Sequence, residues 1–175
     1  MPFIEFITKE QLQKAGMAKT ISAGFGATKT VIPHAAGGYV YRKGKLNNMF
    51  FSLPPSLQTA AGMSSTATEM ANWIIALQNQ QFLKKQSSMV SLWAPAVLNN
   101  GKTGGFSDLL NGYAAGWPVV SRAEHPAVAP VGGGRSAVFV YPEDNLSIII
   151  LTNLSGGSPD VFIDELAGLF IPGMK

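Results

Sequence analysis

Apolar residues recur at helical spacing in four stretches of the chain and crowd into near-continuous runs in its last third. Residues 3–15 carry Phe3, Phe6, Ile7 and Leu12, which predicts a short helix with Gly16 as its C-cap. Residues 20–60 are rich in Gly, Ser, Pro and Asn. They predict loops, with short extended pieces around Gly38-Tyr39-Val40-Tyr41, and Pro54-Pro55 stops any helix there. The clearest helix is predicted over 66–80. Thr66 and Glu69, three residues apart, spell a capping box, and Met70, Trp73, Ile74 and Leu77 fall on one face. A second helix over 85–94 carries Met89, Leu92 and Trp93 and is ended by Pro95. Residues 95–112 then read as a loop through Asn99-Asn100-Gly101, Gly104-Gly105 and Asn111.

Beyond that loop the period changes. Tyr113 to Ser121 is strand-like around Gly116-Trp117. Arg135–Tyr141 and Leu146–Asn153 are apolar on successive residues and flank Pro142-Glu143-Asp144-Asn145, which predicts a β-hairpin covered on both faces. After Gly156-Gly157, Ser158 is the expected cap of a last helix with Pro159 at its first position. Val161, Phe162, Leu166 and Leu169 are its expected apolar face. The pattern is an α+β arrangement: a helical and loop-rich part over 1–112, then antiparallel strands with a C-terminal helix packed on them over 113–175.

Composition narrows the chemistry. Charged residues make up 13% of the 175, about half the usual share, while hydrophobic residues are 46%, which excludes a disordered chain. No apolar run approaches the length of a membrane helix. Cysteine is absent and His34 and His125 are the two histidines, so neither a thiolate nor a multi-histidine metal site is expected, and no cofactor is implied. The net charge of +3 comes from scattered Lys and Arg. The tightest group, Arg42-Lys43-Gly44-Lys45, reads as a solvated turn rather than a nucleic-acid face. Met1-Pro2-Phe3-Ile4-Glu5-Phe6 lacks the basic and long apolar regions of a signal peptide.

Two local matches fail on context. Gly101-Lys102-Thr103 has Ala96 where a phosphate loop needs glycine, and Lys102-Thr103-Gly104 lies in a glycine-rich loop rather than at the start of a strand. No serine has a lysine three residues on, and no tyrosine has Asn or Ser two residues on. A serine nucleophile needs a base within hydrogen-bond reach, and local sequence supplies none.

Five segments, in order, resemble the β-lactamase-related serine hydrolases: class C β-lactamases, D-Ala-D-Ala peptidases and allied esterases. Ala15-Gly16-Met17-Ala18-Lys19-Thr20 resembles their Leu-Gly-Met-x-x-Thr. Ala61-Gly62-Met63-Ser64-Ser65-Thr66-Ala67-Thr68-Glu69-Met70-Ala71-Asn72-Trp73 resembles their Gly-Gly-Leu-x-Ser-Thr-Ala-x-Asp-Met-Ala-x-Trp. Tyr113-Ala114-Ala115-Gly116-Trp117 resembles Tyr-Gly-x-Gly-Trp, Gly132-Gly133-Gly134-Arg135-Ser136 resembles Gly-Gly-x-x-Ser, and Asn145 to Asn153 resembles the penultimate strand.

The resemblance implies a partial β-lactamase/transpeptidase-like fold and the C-terminal portion of a bacterial hydrolase acting on acyl substrates. The Ser-x-x-Lys and Tyr-x-Asn elements of that family precede the first matching segment. The chain is therefore expected to be inactive alone; the alternative is a non-catalytic binding or interaction module of the same fold. The family's Lys/His-x-Gly element corresponds to His125-Pro126-Ala127, which makes His125 the catalytic candidate; in an ungapped alignment Ala127 takes that place. Gly132, Gly133 and Gly134, small enough for close backbone approach, and Arg135, able to pair with a carboxylate, are the substrate-binding candidates. Expected partners are an N-terminal half of the same enzyme or a second copy, with a small acyl substrate in the complete enzyme and neither nucleic acid nor a membrane span. The resemblance also implies a periplasmic or secreted location.

Overall fold

A computed structural model describes residues 1–26, 31–50, 53–133 and 135–174. The chain divides into two compact units, Met1–Phe82 with Leu151–Gly157, and Leu83–Ile150 with Ser158–Lys175.

In the first unit, α1 (Phe3–Ile7) continues into a π-helical turn, Thr8–Leu12, and Gly16 ends the stretch at φ +69°. Leu12, Ala15 and Met17 are buried against Ala76, with Trp73 and Phe82 packed alongside. The next helix, α2 (Ala18–Ala23), falls where the composition predicts loop. Its N-cap residue, Met17, has no side chain able to accept a hydrogen bond and makes no such cap. The acceptor comes instead from α3 (Ala67–Gln78). The Glu69 carboxylate accepts from the N–H groups of Lys19 (2.9 Å) and Thr20 (2.7 Å) and from the Thr20 hydroxyl (2.6 Å). This corrects the capping box. Thr66 Oγ1 does accept from the Glu69 N–H at 3.2 Å, but the Glu69 side chain turns away to cap the first turn of α2.

This unit also holds a three-stranded sheet in the order β2-β1-β9. Strands β1 (Gly38–Arg42) and β2 (Lys45–Met49) form a hairpin with Arg42 opposite Lys45. The two turn residues, Lys43 and Gly44, sit at φ +49° and +75°, the left-handed pair that a two-residue hairpin of matching twist requires. Strand β9 (Leu154–Ser155) adds to β1 in parallel.

In the second unit, α4 (Gln86–Trp93) ends before Pro95 as expected. Where one strand is expected over 113–121 the chain instead folds back on itself. Strand β3 (Gly112–Tyr113) pairs antiparallel with β4 (Pro118–Val120) around Gly116 at φ +82°. Two more short strands, β5 (Ala127–Val128) and β6 (Val131–Gly132), precede the predicted hairpin of β7 (Ser136–Tyr141) and β8 (Leu146–Leu151). The sheet order is β3-β4-β5-β7-β6, with β8 also paired to β7.

Ala137, Val138, Phe139, Val140 and Tyr141 are all buried, so β7 is covered on both faces. The odd-numbered three pack with Ile148, Ile163, Ala167 and Ile171. Each large side chain buried here contributes about 1.5–3 kcal/mol. The closing helix begins as a 3₁₀ turn, Pro159–Phe162, and becomes α5 (Ile163–Ala167). Ser158 sits at φ +38° and makes no side-chain cap, which corrects that expectation. The predicted apolar face is also corrected. Val161 and Leu169 are 75% and 76% exposed and Phe162 is exposed as well, whereas Pro159, Ile163, Ala167 and Ile171, four residues apart, face the sheet. Of the expected face, Leu166 alone packs on the core.

Candidate functional site

The described site candidates, His125, Gly132, Gly133 and Arg135, lie on or beside the β5–β6–β7 ribbon, and its register locates them. Val128 pairs with Val140, Val131 with Ala137, and Gly132 with Ser136. The start of β5 therefore adjoins the end of β7, and the glycine turn adjoins its start. His125 precedes β5, so it stands at the opposite end of β7 from Gly132, Gly133 and Arg135. Six strand residues separate the two ends, about 17–20 Å at the usual rise. The structure does not bring these candidates together.

At the turn end, Gly132 O accepts from the Arg135 N–H at 3.1 Å and from the Ser136 hydroxyl at 3.3 Å. Gly133 sits at φ +56°, where a side chain is strained. A Cβ on Gly132 would come within 3.1 Å of Ser136 Oγ. The surface here is open, so a ligand can approach the backbone of Gly132 and Gly133, both exposed. Gly134 lies outside the described residues.

At the other end, His125 is half-buried at φ +53°, and its Nδ1 lies 2.8 Å from Asp144 Oδ1. Asp144 belongs to the turn between β7 and β8, so the pair ties the start of β5 to that turn. Arg122 reinforces it, donating from Nε to His125 O at 2.9 Å and gripping Asp164 of α5 with both terminal nitrogens, at 2.7 and 3.1 Å. The hydrogen bonds to Asp164 hold the Arg122 guanidinium above its ordinary pKa. The Tyr141 hydroxyl also donates to Asp164, at 3.3 Å, and burial, with the Asp164 charge beside it, pushes its pKa above the ordinary phenol value.

A cavity of about 490 Å³ opens beside the pair, lined by Glu124, His125, Glu143 and Asp144 with Pro172 and Gly173. Among the described residues no group of three or more His, Asp or Glu side chains is arranged to hold a metal. Sequence reasoning missed Arg122, Tyr141, Asp144 and Asp164. The Arg122–Asp164 contact spans 42 positions, and no local pattern announces it.

Ala127 opens β5 opposite Val120 and is buried, as is Ala129. If the segments are aligned without a gap, these two residues occupy the first and third places of Lys/His-x-Gly, and neither is ionisable. Lys102-Thr103-Gly104 lies in the loop between α4 and β3, not on a strand.

The beta-lactamase family model matches residues 1–170. The chain belongs to the beta-lactamase family. Its fold is similar to part of a penicillin-binding protein from Bacillus halodurans, with a TM-score of 0.76 at 23% identity. That likeness covers 97% of this chain and 50% of the other, so the beta-lactamase-family segment seen here spans about half the length of the solved structure it matches. No curated protein matches the chain. Among the described residues no helix is long and apolar enough to cross a membrane.

Proposed function

We propose that this chain supplies the C-terminal portion of a β-lactamase-like serine hydrolase acting on acyl substrates, and that it does not turn over substrate by itself. One observation carries the reading. Family likeness extends over residues 1–170, yet no serine has a lysine three residues on and no tyrosine has Asn or Ser two residues on. In such an enzyme a serine attacks the acyl carbonyl while a neighbouring base takes its proton and backbone N–H groups stabilise the oxyanion. In this reading Gly132, Gly133, Gly134 and Arg135 offer a side wall to the substrate, with Arg135 able to orient a carboxylate. His125 stands a strand's length from that turn, with Asp144 holding its Nδ1, and so forms no part of the same wall.

A second reading, a binding module without catalysis, is favoured by Ala127 at the start of β5 and Ala129 just past it, where the ungapped alignment places Lys/His-x-Gly. Incubation of the purified chain with a chromogenic cephalosporin, a nitrophenyl ester and a fluorescent penicillin tests both. The expected result is no hydrolysis above background and no labelled serine. A covalent acyl-serine found by mass spectrometry would overturn both readings. Saturable binding of the cephalosporin without turnover would select the second.

A further inference from the structure

We propose that the β1–β2 hairpin is a docking surface for an anionic lipid bilayer. The observation is an exposed aromatic face next to a basic tip, in a stretch of sequence that holds no acidic residue. The register sets Tyr39 opposite Asn48 and Tyr41 opposite Leu46, so Tyr39, Tyr41, Leu46 and Asn48 share one face. Tyr41 and Leu46 are 62% and 63% exposed, and Phe50, just past β2, is 98% exposed. A hairpin whose only task is to close the sheet has no need of two tyrosines and a leucine on its solvent face.

Charge selects the partner. Arg42, Lys43 and Lys45 are exposed at and beside the turn. Between residues 11 and 68 the chain carries Lys14, Lys19, Lys29, Arg42, Lys43 and Lys45 but not one Asp or Glu. Cations at a tip draw it to anionic headgroups, while tyrosine rings and an aliphatic side chain settle at the depth where headgroups meet acyl chains. A nucleic-acid surface would use the cations and could stack bases on the tyrosines and Phe50, but it has little use for aliphatic Leu46, which gains by leaving water for an apolar layer.

Flotation with vesicles of phosphatidylcholine, with and without about one-third phosphatidylglycerol, tests the proposal at low and high salt. The expected result is binding to the anionic vesicles alone, released by high salt because the attraction is screened. At about fivefold per cation, the triple change Arg42→Glu, Lys43→Glu and Lys45→Glu should weaken partitioning by about 100-fold or more. Tyr41→Ser with Leu46→Ser should weaken it by at least about tenfold. Because these positions are exposed, circular dichroism should show both variants folded. Val161→Ser with Leu169→Ser, exposed positions at either end of the closing helix, should leave partitioning unchanged. Equal binding to neutral vesicles, retention by the charge-reversed variant, or capture by duplex DNA with no vesicle binding would each overturn the proposal.

Discussion

Replacing Glu69 by Gln tests the cap that one helix provides for another. Glu69 is 7% exposed, and its two oxygens take three hydrogen bonds from α2. Glutamine keeps one oxygen and puts an amide NH₂ where the other was, so a buried N–H of Lys19 or Thr20 faces a donor. Leaving one such group unpaired costs about 1–3 kcal/mol. Glu69→Ala removes all three bonds and leaves a void, for about 2–5 kcal/mol. Burial by itself would raise the Glu69 pKa, but the Thr20 hydroxyl and the two backbone N–H groups outweigh it and hold the carboxyl below its ordinary value. A depressed folded pKa means that the stabilisation is whole above the ordinary carboxylate range and is lost as pH falls through the folded value. The gap between the natural chain and Glu69→Gln, measured by urea denaturation followed by far-ultraviolet circular dichroism, should therefore be full at neutral pH and shrink as pH falls below the ordinary carboxylate range. A gap under about 0.5 kcal/mol at neutral pH, the scatter of ordinary surface changes, would refute the reasoning, as would a gap that pH does not move.

Three further outcomes follow from other parts of the fold. Tyr141 should keep its proton while alkali passes the ordinary phenol range, so Tyr141→Phe should leave the native absorbance rise at 295 nm unchanged in a spectrophotometric titration. Gly105→Ala should cost more than about 2 kcal/mol, read as a lowered urea midpoint, because a Cβ there would run into the Leu110 carbonyl and the Asn111 backbone; an unchanged midpoint would contradict the loop geometry. Val161 at the start of the closing helix and Leu169 and Phe170 in the turn after it stand exposed, and among the described residues β8 pairs with β7 alone, so sedimentation at micromolar concentration should show association, reduced by Val161→Ser with Leu169→Ser.

How much of this was legible in the sequence depends on how locally each feature is determined. Helix α3 could be read because its cap, Thr66, and its buried face, Ile74 and Leu77, lie within one short segment. The β7–β8 hairpin could be read because two apolar runs flank one turn. Helix α2 could not, since its acceptor, Glu69, lies 50 and 49 positions from the N–H groups it serves. The closing helix misled because apolar residues crowd it and the turn that follows, at Val161, Phe162, Ile163, Leu166, Leu169 and Ile171. Periodicity cannot choose a face in such a run; contact with Phe139 and Tyr141 does. Strands β5 and β6 are two residues each, bracketed by Pro126 and Pro130, and too short to show alternation. For the site, sequence reasoning supplied the segment order, while the separation of His125 from Gly132 follows from strand register, which no local pattern encodes.

The first unit is not one stretch of chain. Its sheet takes β9 from residues that follow the β7–β8 hairpin, with Leu154 beside Tyr39 and the Tyr39 N–H donating to Asn153 O at 2.8 Å. On the ribosome, β1 and β2 emerge more than a hundred residues before that partner. The hairpin must wait with one edge open through synthesis of the larger part of the second unit, Leu83–Ile150. A pause or a cut anywhere between would strand the first unit one strand short, so its maturation is timed by the length of the polypeptide behind it.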